Sequence, residues 1–236
     1  MKKVINYFSV GEIILWVFSV ALIFAVFCMF GGNGALSFIA SLIGVTSILL
    51  NAKGNPLGQF LMIIFSLLYG IISYSFAYYG EMITYLGMTM PMAAFALITW
   101  LRHPYEGNRS EVQVNSISKV EVVIMFLVAA IVTAVFYFIL DHFHTANIVP
   151  STISVTTSFL AVYLTFRRSP FFSLACAAND IVLIILWTLA SMQDRKYIAV
   201  IVCFAAFLLN DIYGFVNWQK MKEKQSSLEG VLETAQ

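Results

Sequence analysis

Charged side chains are scarce in this sequence. Asp, Glu, Lys and Arg make up 11% of the 236 residues, whereas hydrophobic residues make up 61%. A soluble domain carries about 25% charged residues, so this composition excludes an ordinary soluble enzyme or binding module. The net charge of +1 leaves no excess of basic residues for a nucleic-acid-binding face, and we expect no nucleic-acid partner.

Cysteine is also rare, and so are the other residues that bind metals. The three cysteines, Cys28, Cys176 and Cys203, each lie inside an apolar run, which indicates buried hydrophobic residues rather than disulfides or zinc ligands. His142 and His144 are two positions apart in a polar stretch, which favours a solvated turn. The Walker pattern of a nucleotide-binding loop is absent. We therefore predict no metal, no cofactor and no catalytic residue.

Long apolar runs dominate the chain instead. About 20 apolar residues in a helix span a bilayer, and these runs are too long for strands and lack strand alternation. The first run is long for a signal peptide and has no clear cleavage site after it, so we expect a retained helix. The sequence predicts an all-α integral membrane protein with about eight transmembrane helices, at roughly 12–30, 35–50, 56–79, 82–101, 120–140, 148–166, 171–190 and 197–218.

Lysine and arginine fall almost entirely on one side of these eight predicted crossings. Only Arg195 and Lys196 lie on the other side. By the positive-inside rule, both termini of this multi-pass protein are predicted to be cytoplasmic. The residues on the cytoplasmic side are Lys2, Lys3, Lys53, Arg102, Arg109, Lys119, Arg167, Arg168, Lys220, Lys222 and Lys224.

The second half of the chain repeats landmarks of the first half. With an offset of 114 residues, "NAKGNPLGQF" (51–60) falls on "TFRRSPFFSL" (165–174), and in each a proline begins the next helix. Four further residues in the next loop bring Trp100 onto Trp218. Two three-helix units separated by one helix must run parallel through the membrane, an arrangement typical of transporters.

The repeat divides the chain into five predicted regions, in a 3+1+3 arrangement with one extra helix. They are an N-terminal helix (1–34), a first three-helix repeat (35–101), a cytoplasmic loop with the linker helix (102–147), a second three-helix repeat (148–221) and a cytoplasmic tail (222–236).

Several polar and aromatic side chains lie inside the predicted helices. Polar groups in lipid are costly, so they usually face a cavity or a partner helix. Both readings stay open, because small and amide side chains such as Ser66 and Asn210 also join helices. The candidate substrate-binding residues are Gln59, Ser66, Tyr69, Asn179, Asp180, Trp187, Asn210, Asp211 and Asn217. The tryptophans near the cytoplasmic ends, Trp100 and Trp218, are expected to anchor the helices at the membrane interface.

Three stretches, at 50–82, 167–187 and 210–221, resemble the PnuC-type family of bacterial vitamin transporters, chiefly transporters of nicotinamide riboside. They read "LNAKGNPLGQFLMIIFSLLYGIISYSFAYYGEM", "RRSPFFSLACAANDIVLIILW" and "NDIYGFVNWQKM". The resemblance implies a bacterial plasma-membrane protein, surrounded by lipid, that imports the phosphate-free riboside by facilitated diffusion. A separate cytoplasmic kinase would then trap the substrate. A homo-oligomer, for instance a trimer, is expected.

The resemblance also assigns positions. Gln59 matches a polar residue of the first unit's pathway, and Asn179 and Asp180 match the amide or acidic position that follows a Trp-x-x-Trp pair in many family members. Here Ser173 and Cys176 stand in the places of that pair. The aromatic clamp would then come from Trp187, Tyr69 or Phe65, and uptake of thiamine or a deoxynucleoside is the alternative function.

An intramembrane aspartyl protease is the more distant alternative. Asp180 and Asp211 lie on consecutive antiparallel helices, about ten and seven residues from their cytoplasmic ends, so their depths nearly match. Two carboxyl groups that share a proton can hydrolyse a peptide bond. The Tyr-Asp and Gly-x-Gly-Asp contexts of such proteases are missing, which disfavours this hypothesis.

Overall fold

In the part of the chain that the structure describes, eight helical spans are long and apolar enough to cross a membrane, as predicted. The computed structural model describes residues 7–30, 34–76, 78–145 and 147–234. Lys2, Lys3 and most of the predicted turn at 31–34 lie outside the described residues. The spans agree closely with the predicted segments because each is an unbroken apolar run between polar turns.

The helices follow one another with short connections. Seven spans are single helices, and the fourth consists of α4, a π-helical turn at Tyr85–Thr89 and α5. The helices are α1 (Val10–Phe30), α2 (Gly34–Ala52), α3 (Pro56–Ser75), α4 (Tyr79–Thr84), α5 (Met90–Arg102), α6 (Lys119–His142), α7 (Ile148–Phe166), α8 (Phe172–Ser191) and α9 (Ile198–Thr234).

Packing separates the helices into two groups. The helix α3 packs against α2 and α5, and α8 packs in the same way against α7 and α9. The most extensive contacts between the groups are those of α9 with α2 and of the fourth span with α7. These two contacts correspond to each other if α2 is equivalent to α7 and the fourth span to α9. The packing is therefore consistent with the predicted 3+1+3 arrangement.

The two turns that precede α3 and α8 have the same backbone geometry. Gly54 has a φ of 66° and its counterpart Arg168 has a φ of 57°. The next residue in each turn donates its N–H to the carbonyl five residues earlier, at 3.0 Å from Asn55 to Leu50 and at 2.9 Å from Ser169 to Leu164. A left-handed residue after the helix and a backbone bond that satisfies a terminal carbonyl end both helices.

The polar connection after α5 has structure that the sequence did not indicate. Pro104–Tyr105 and Asn108–Val112 form a two-stranded antiparallel hairpin, β1 and β2. The segment then crosses both equivalent turns, because the Val112 N–H bonds the Gly54 carbonyl and the Asn115 N–H bonds the Arg168 carbonyl, each at 3.0 Å. We call this end of the bundle, where α3 and α8 begin, the basic end.

The last helix extends beyond the predicted end of the second repeat. The boundary at 221 between the second repeat and a tail falls inside α9, which continues as one helix to Thr234. This continuation packs on the hairpin segment, because Gln225 accepts a bond from the Val114 N–H at 2.8 Å and donates to the Val112 carbonyl at 3.2 Å. The sequence after 221 is mainly polar, so its hydropathy indicated only where the membrane span ends.

Candidate functional site

A cavity lies between the two groups of helices, in the half of the bundle nearer the basic end. The space inside it that the centres of water-sized molecules can reach is about 90 Å³. Six of the seven spans from the second to the eighth contribute to it through α2, α3, α7, α8 and α9 and through the π-helical turn with α5. A central cavity shared by both units is where parallel-repeat transporters bind their substrate.

Amide side chains form one polar part of the lining. On the first unit, Gln59 donates its Nε2 to Asn51 Oδ1 at 2.8 Å, and both side chains are buried. On the second unit, Asn179 Oδ1 accepts bonds from Thr157 Oγ1 at 2.7 Å and from Ser158 Oγ at 3.0 Å. These bonds fix the orientation of both amides and leave the Gln59 carbonyl and the Asn179 amino group available to a ligand.

The carboxyl groups of Asp180 and Asp211 form the second polar part. They come from α8 and α9, are each 5% exposed, and lie within hydrogen-bond reach of each other. Asp180 Oδ2 is buried and has no hydrogen-bond partner among the described residues. The matching depths predicted from the sequence therefore bring this pair into contact.

Aromatic rings form much of the apolar lining. Phe65 is packed edge-on against Phe207 at 5.4 Å and Tyr85 at 6.0 Å between ring centroids, and Phe204 and Phe172 complete the set. Of the three clamp candidates named from the sequence, only Phe65 lines the cavity. Cys176 also lines it, in the place of one tryptophan of the family's pair, whereas Ser173 packs against Gly214.

Further aromatic clusters flank the cavity toward both ends of the bundle. Toward the outer end, Trp187 Nε1 donates to the Tyr69 hydroxyl at 2.9 Å. Toward the basic end, the rings of Trp100 and Trp218 lie 5.4 Å apart and are fully buried. The expectation that these two tryptophans anchor the membrane interface is therefore wrong, because their indole N–H groups bond protein carbonyls rather than facing the headgroups.

The structure divides the nine candidate binding residues. Gln59, Asn179, Asp180 and Asp211 line the cavity. The other five lie outside its lining. Tyr69 and Trp187 bond each other, Asn210 donates to Ser19 Oγ at 2.9 Å, and Asn217 donates to the Ala52 carbonyl at 2.8 Å. Ser66 is fully buried, and its hydroxyl has no hydrogen-bond partner among the described residues.

Sequence reasoning missed other polar groups of the cavity. They are Asn51, Tyr85, Thr89, Ser158 and Thr165. Asn51 and Thr165 occupy equivalent positions in the repeat, at the ends of α2 and α7. The offset of the repeat pairs these two polar residues and could have identified them. Tyr85 and Thr89 bound the π-helical turn, whose wider winding changes which side chains face inward.

Across the part of the chain that the structure describes, no group of three or more His, Cys, Asp or Glu side chains could hold a metal ion. The acidic residues of the cavity form a pair rather than such a cluster. Its polar chemistry therefore consists of amide, hydroxyl and carboxyl groups.

Comparisons with known proteins agree with this architecture. A model of the nicotinamide mononucleotide transporter family matches residues 34–220. The nicotinamide riboside transporter PnuC of Neisseria mucosa is 24% identical over 217 residues, which cover 90% of this chain and 82% of that protein. The crystal structure of the vitamin B3 transporter PnuC matches with a TM-score of 0.81 and 21% identity, covering 92% of this chain and 94% of that one.

The matched region begins at the start of α2 and ends in α9, so it contains every helix that contributes to the cavity. It leaves out α1, the extra N-terminal helix. A transport family also decides against the aspartyl protease hypothesis, although the two aspartates do meet. The chain belongs to the nicotinamide mononucleotide transporter family and is a multi-pass membrane transporter, not an enzyme.

Proposed function

We propose that this protein carries nicotinamide riboside across the bacterial plasma membrane by facilitated diffusion. The observation that supports this most is the central cavity, in which Gln59 offers a carbonyl oxygen and Asn179 an amino group. The carboxamide of nicotinamide needs one donor and one acceptor, and ribose hydroxyls can use either. The aromatic lining provides surfaces for a flat ring. The curated relative carries the name of a riboside transporter, and it supports the same substrate.

The lining favours a riboside over its phosphorylated form. Among the described residues around the cavity there is no Lys, Arg or His, whereas Asp180 and Asp211 are both present. A phosphate group carries about −1.5 to −2 charges at neutral pH and is bound by basic side chains or by exposed backbone N–H groups. Next to two carboxyl groups it would be repelled, so the mononucleotide is not the substrate that we propose.

The direction of net uptake follows from trapping in the cytoplasm. The basic end of the bundle carries Lys53, Arg102 and Arg167, and the positive-inside rule makes it the cytoplasmic side, with both termini there. A kinase on that side would phosphorylate the riboside, and the product would not fit the cavity. Phosphorylation thus keeps the inner concentration of riboside low, and no ion gradient is needed.

A competition panel in proteoliposomes tests this substrate assignment. We expect unlabelled nicotinamide riboside to block uptake of the labelled riboside, and the mononucleotide and deoxynucleosides to leave it unchanged. Thiamine is included because Ser173 and Cys176 replace the family's tryptophan pair. Stronger competition by thiamine than by the riboside would favour thiamine as the substrate. Effective competition by the mononucleotide would contradict the proposal.

A matched pair of variants links uptake to the cavity. Gln59→Leu removes the cavity's amide carbonyl and its bond to Asn51, so uptake is expected to fall by about tenfold or more. Gln219→Leu is the control, since Gln219 lies on α9 outside the cavity lining and is only half-buried. Equal uptake by the two variants would show that the riboside takes another path.

A further inference from the structure

The cavity holds two acidic groups without a basic partner. Asp180 and Asp211 are in contact and almost fully buried, and the described lining contains no Lys, Arg or His. The titratable side chains that face the pair are Tyr85 and Cys176, which carry no positive charge in any protonation state. A hydrogen bond between two carboxyl groups requires at least one proton as its donor, so the pair carries at most one negative charge.

A buried negative charge without a counterion is costly. One oxygen of Asp180, which is a lining residue of the cavity, is also left without any hydrogen-bond partner in the described residues. An arrangement of this kind is stabilised when a cation enters. We propose that the Asp180–Asp211 pair is the counterion for a positively charged ligand ring, and that the cavity selects a cationic heteroaromatic riboside over an uncharged one of the same shape.

The charge lies on one wall of the cavity. In the repeat, Ala93 of the first unit is equivalent to Asp211, and Ser66 is equivalent to Asp180. Ala93 lines the cavity without a charge, and Ser66 lies outside the lining. The first unit instead contributes the amides of Gln59 and Asn51. A ligand with a cationic ring and neutral polar substituents can therefore bind in one orientation, with its ring toward the carboxyl pair of the second unit and its substituents toward the amides of the first.

The aromatic lining supports the same class of ligand. Phe204 and Phe207 lie on α9, with ring centroids 5.5 Å apart, and belong to the same lining as Asp211. The faces of aromatic rings attract cations, and the attraction increases where water is excluded. A pyridinium ring would therefore gain from both the carboxyl pair and the phenylalanine rings, whereas an uncharged ring would gain only from stacking.

This inference rests on the proposed function. It adds that the cavity distinguishes ligands of the same shape by the charge of their ring. Nicotinamide riboside is a pyridinium cation, and its 1,4-dihydro form has nearly the same shape without the charge. The test measures the dissociation constants of both forms for the purified protein. We expect the wild type to bind the cation on the order of tenfold or more tightly than the dihydro form.

Variants of the pair make the test specific. Asp180→Asn and Asp211→Asn each leave one carboxylate, so each single variant is expected to keep most of the preference for the cation. The double variant has no charge and is expected to bind both forms with similar affinity, mainly through weaker binding of the cation. Binding of the dihydro form by the double variant also establishes that its cavity is folded.

Two results would overturn the inference. Equal affinity of the wild type for both forms would remove selection by charge while the riboside assignment remained. An unchanged preference in the double variant would show that another part of the protein sets it. If the wild type bound neither form, the proposed function itself would fail, together with this inference. If the double variant does not fold, the ratio of the two dissociation constants of the wild type still tests whether the cavity selects by charge.

Discussion

Trp100 and Trp218 hold the two helical units together through one pair of equivalent bonds. Trp100 of the first unit donates its indole N–H to the Thr165 carbonyl of the second at 2.9 Å, and Trp218 of the second donates to the Asn51 carbonyl of the first at 2.8 Å. The two acceptors occupy the same position in the repeat. The rings themselves lie 5.4 Å apart, just beyond the end of the cavity.

Replacing either tryptophan by phenylalanine should destabilise the protein. Each variant loses one buried hydrogen bond and some packing volume, so we expect the free energy of unfolding to fall by about 1–3 kcal/mol. Because the rings touch, the effects of Trp100→Phe and Trp218→Phe should not add in the double variant. Thermal unfolding in detergent measures both effects. Trp16→Phe is the control, since Trp16 is partly exposed on α1.

Gly58 is required where α2 and α3 meet near the cavity. A Cβ there would lie 2.2 Å from Asn51 Oδ1 and 2.6 Å from the Asn51 backbone nitrogen, which cannot rotate away. Gly58→Ala should therefore separate the helices, disturb the bond between Gln59 and Asn51, and abolish most uptake. Gly87→Ala, whose nearest neighbour would lie at 4.0 Å, should transport normally. Normal uptake by Gly58→Ala would contradict the close packing of these helices.

Thr157 positions Asn179 through its hydroxyl group. Thr157→Val keeps the shape but removes one of the two bonds that hold the Asn179 carbonyl oxygen. We expect riboside affinity to fall by about three- to tenfold, since one hydrogen bond contributes about 1 kcal/mol, with little loss of stability. A binding titration checks this. Thr188→Val is matched on the exposed side of α8, where the hydroxyl bonds only its own helix, and should not change affinity.

Glu12 fixes the extra helix α1 to the basic end. It is 2% exposed, pairs with Lys53 at 2.9 Å, and accepts a bond from the Tyr213 hydroxyl at 2.6 Å. Glu12→Gln removes the charge opposite Lys53 and should lower the free energy of unfolding by about 1–3 kcal/mol. Glu111→Gln should change it by less than about 0.5 kcal/mol, because its partner Lys224 is mostly exposed and 3.9 Å away. Equal losses would contradict the anchoring role.

The sequence predicted the helices well because their signal is local. Each span is a run of apolar residues, and the two turns ahead of α3 and α8 differ from the runs in composition. The common offset of these turns appears in the structure as the same backbone geometry at Gly54 and Arg168. Charge placement similarly indicated which loops share one end of the bundle. All of these features depend on neighbouring residues rather than on packing.

The cavity could be predicted only in part because a polar residue in a membrane helix has several possible partners. Asn179 and Asn210 are both buried amides, yet Asn179 lines the cavity and Asn210 bonds Ser19 on α1. The choice depends on how each helix is rotated in the bundle, which no local pattern specifies. Tyr69 on α3 is a second example, because its hydroxyl accepts a hydrogen bond from Trp187 on α8 instead of facing the cavity.

The central claim is that the riboside crosses through this cavity down its own gradient. Its most direct test is equilibration of labelled nicotinamide riboside into proteoliposomes, with and without a proton or sodium gradient, for the wild type and for Ala93→Phe. Because the riboside is a cation, the membrane potential is held at zero in every condition. Ala93 is a buried lining residue, so the added ring fills the cavity, whereas Ala130→Phe on the exposed face of α6 is the control. We predict that the wild type and the control reach equal inner and outer concentrations under every gradient, while Ala93→Phe does not transport. Accumulation above the outer concentration, or normal transport by folded Ala93→Phe, would contradict the account.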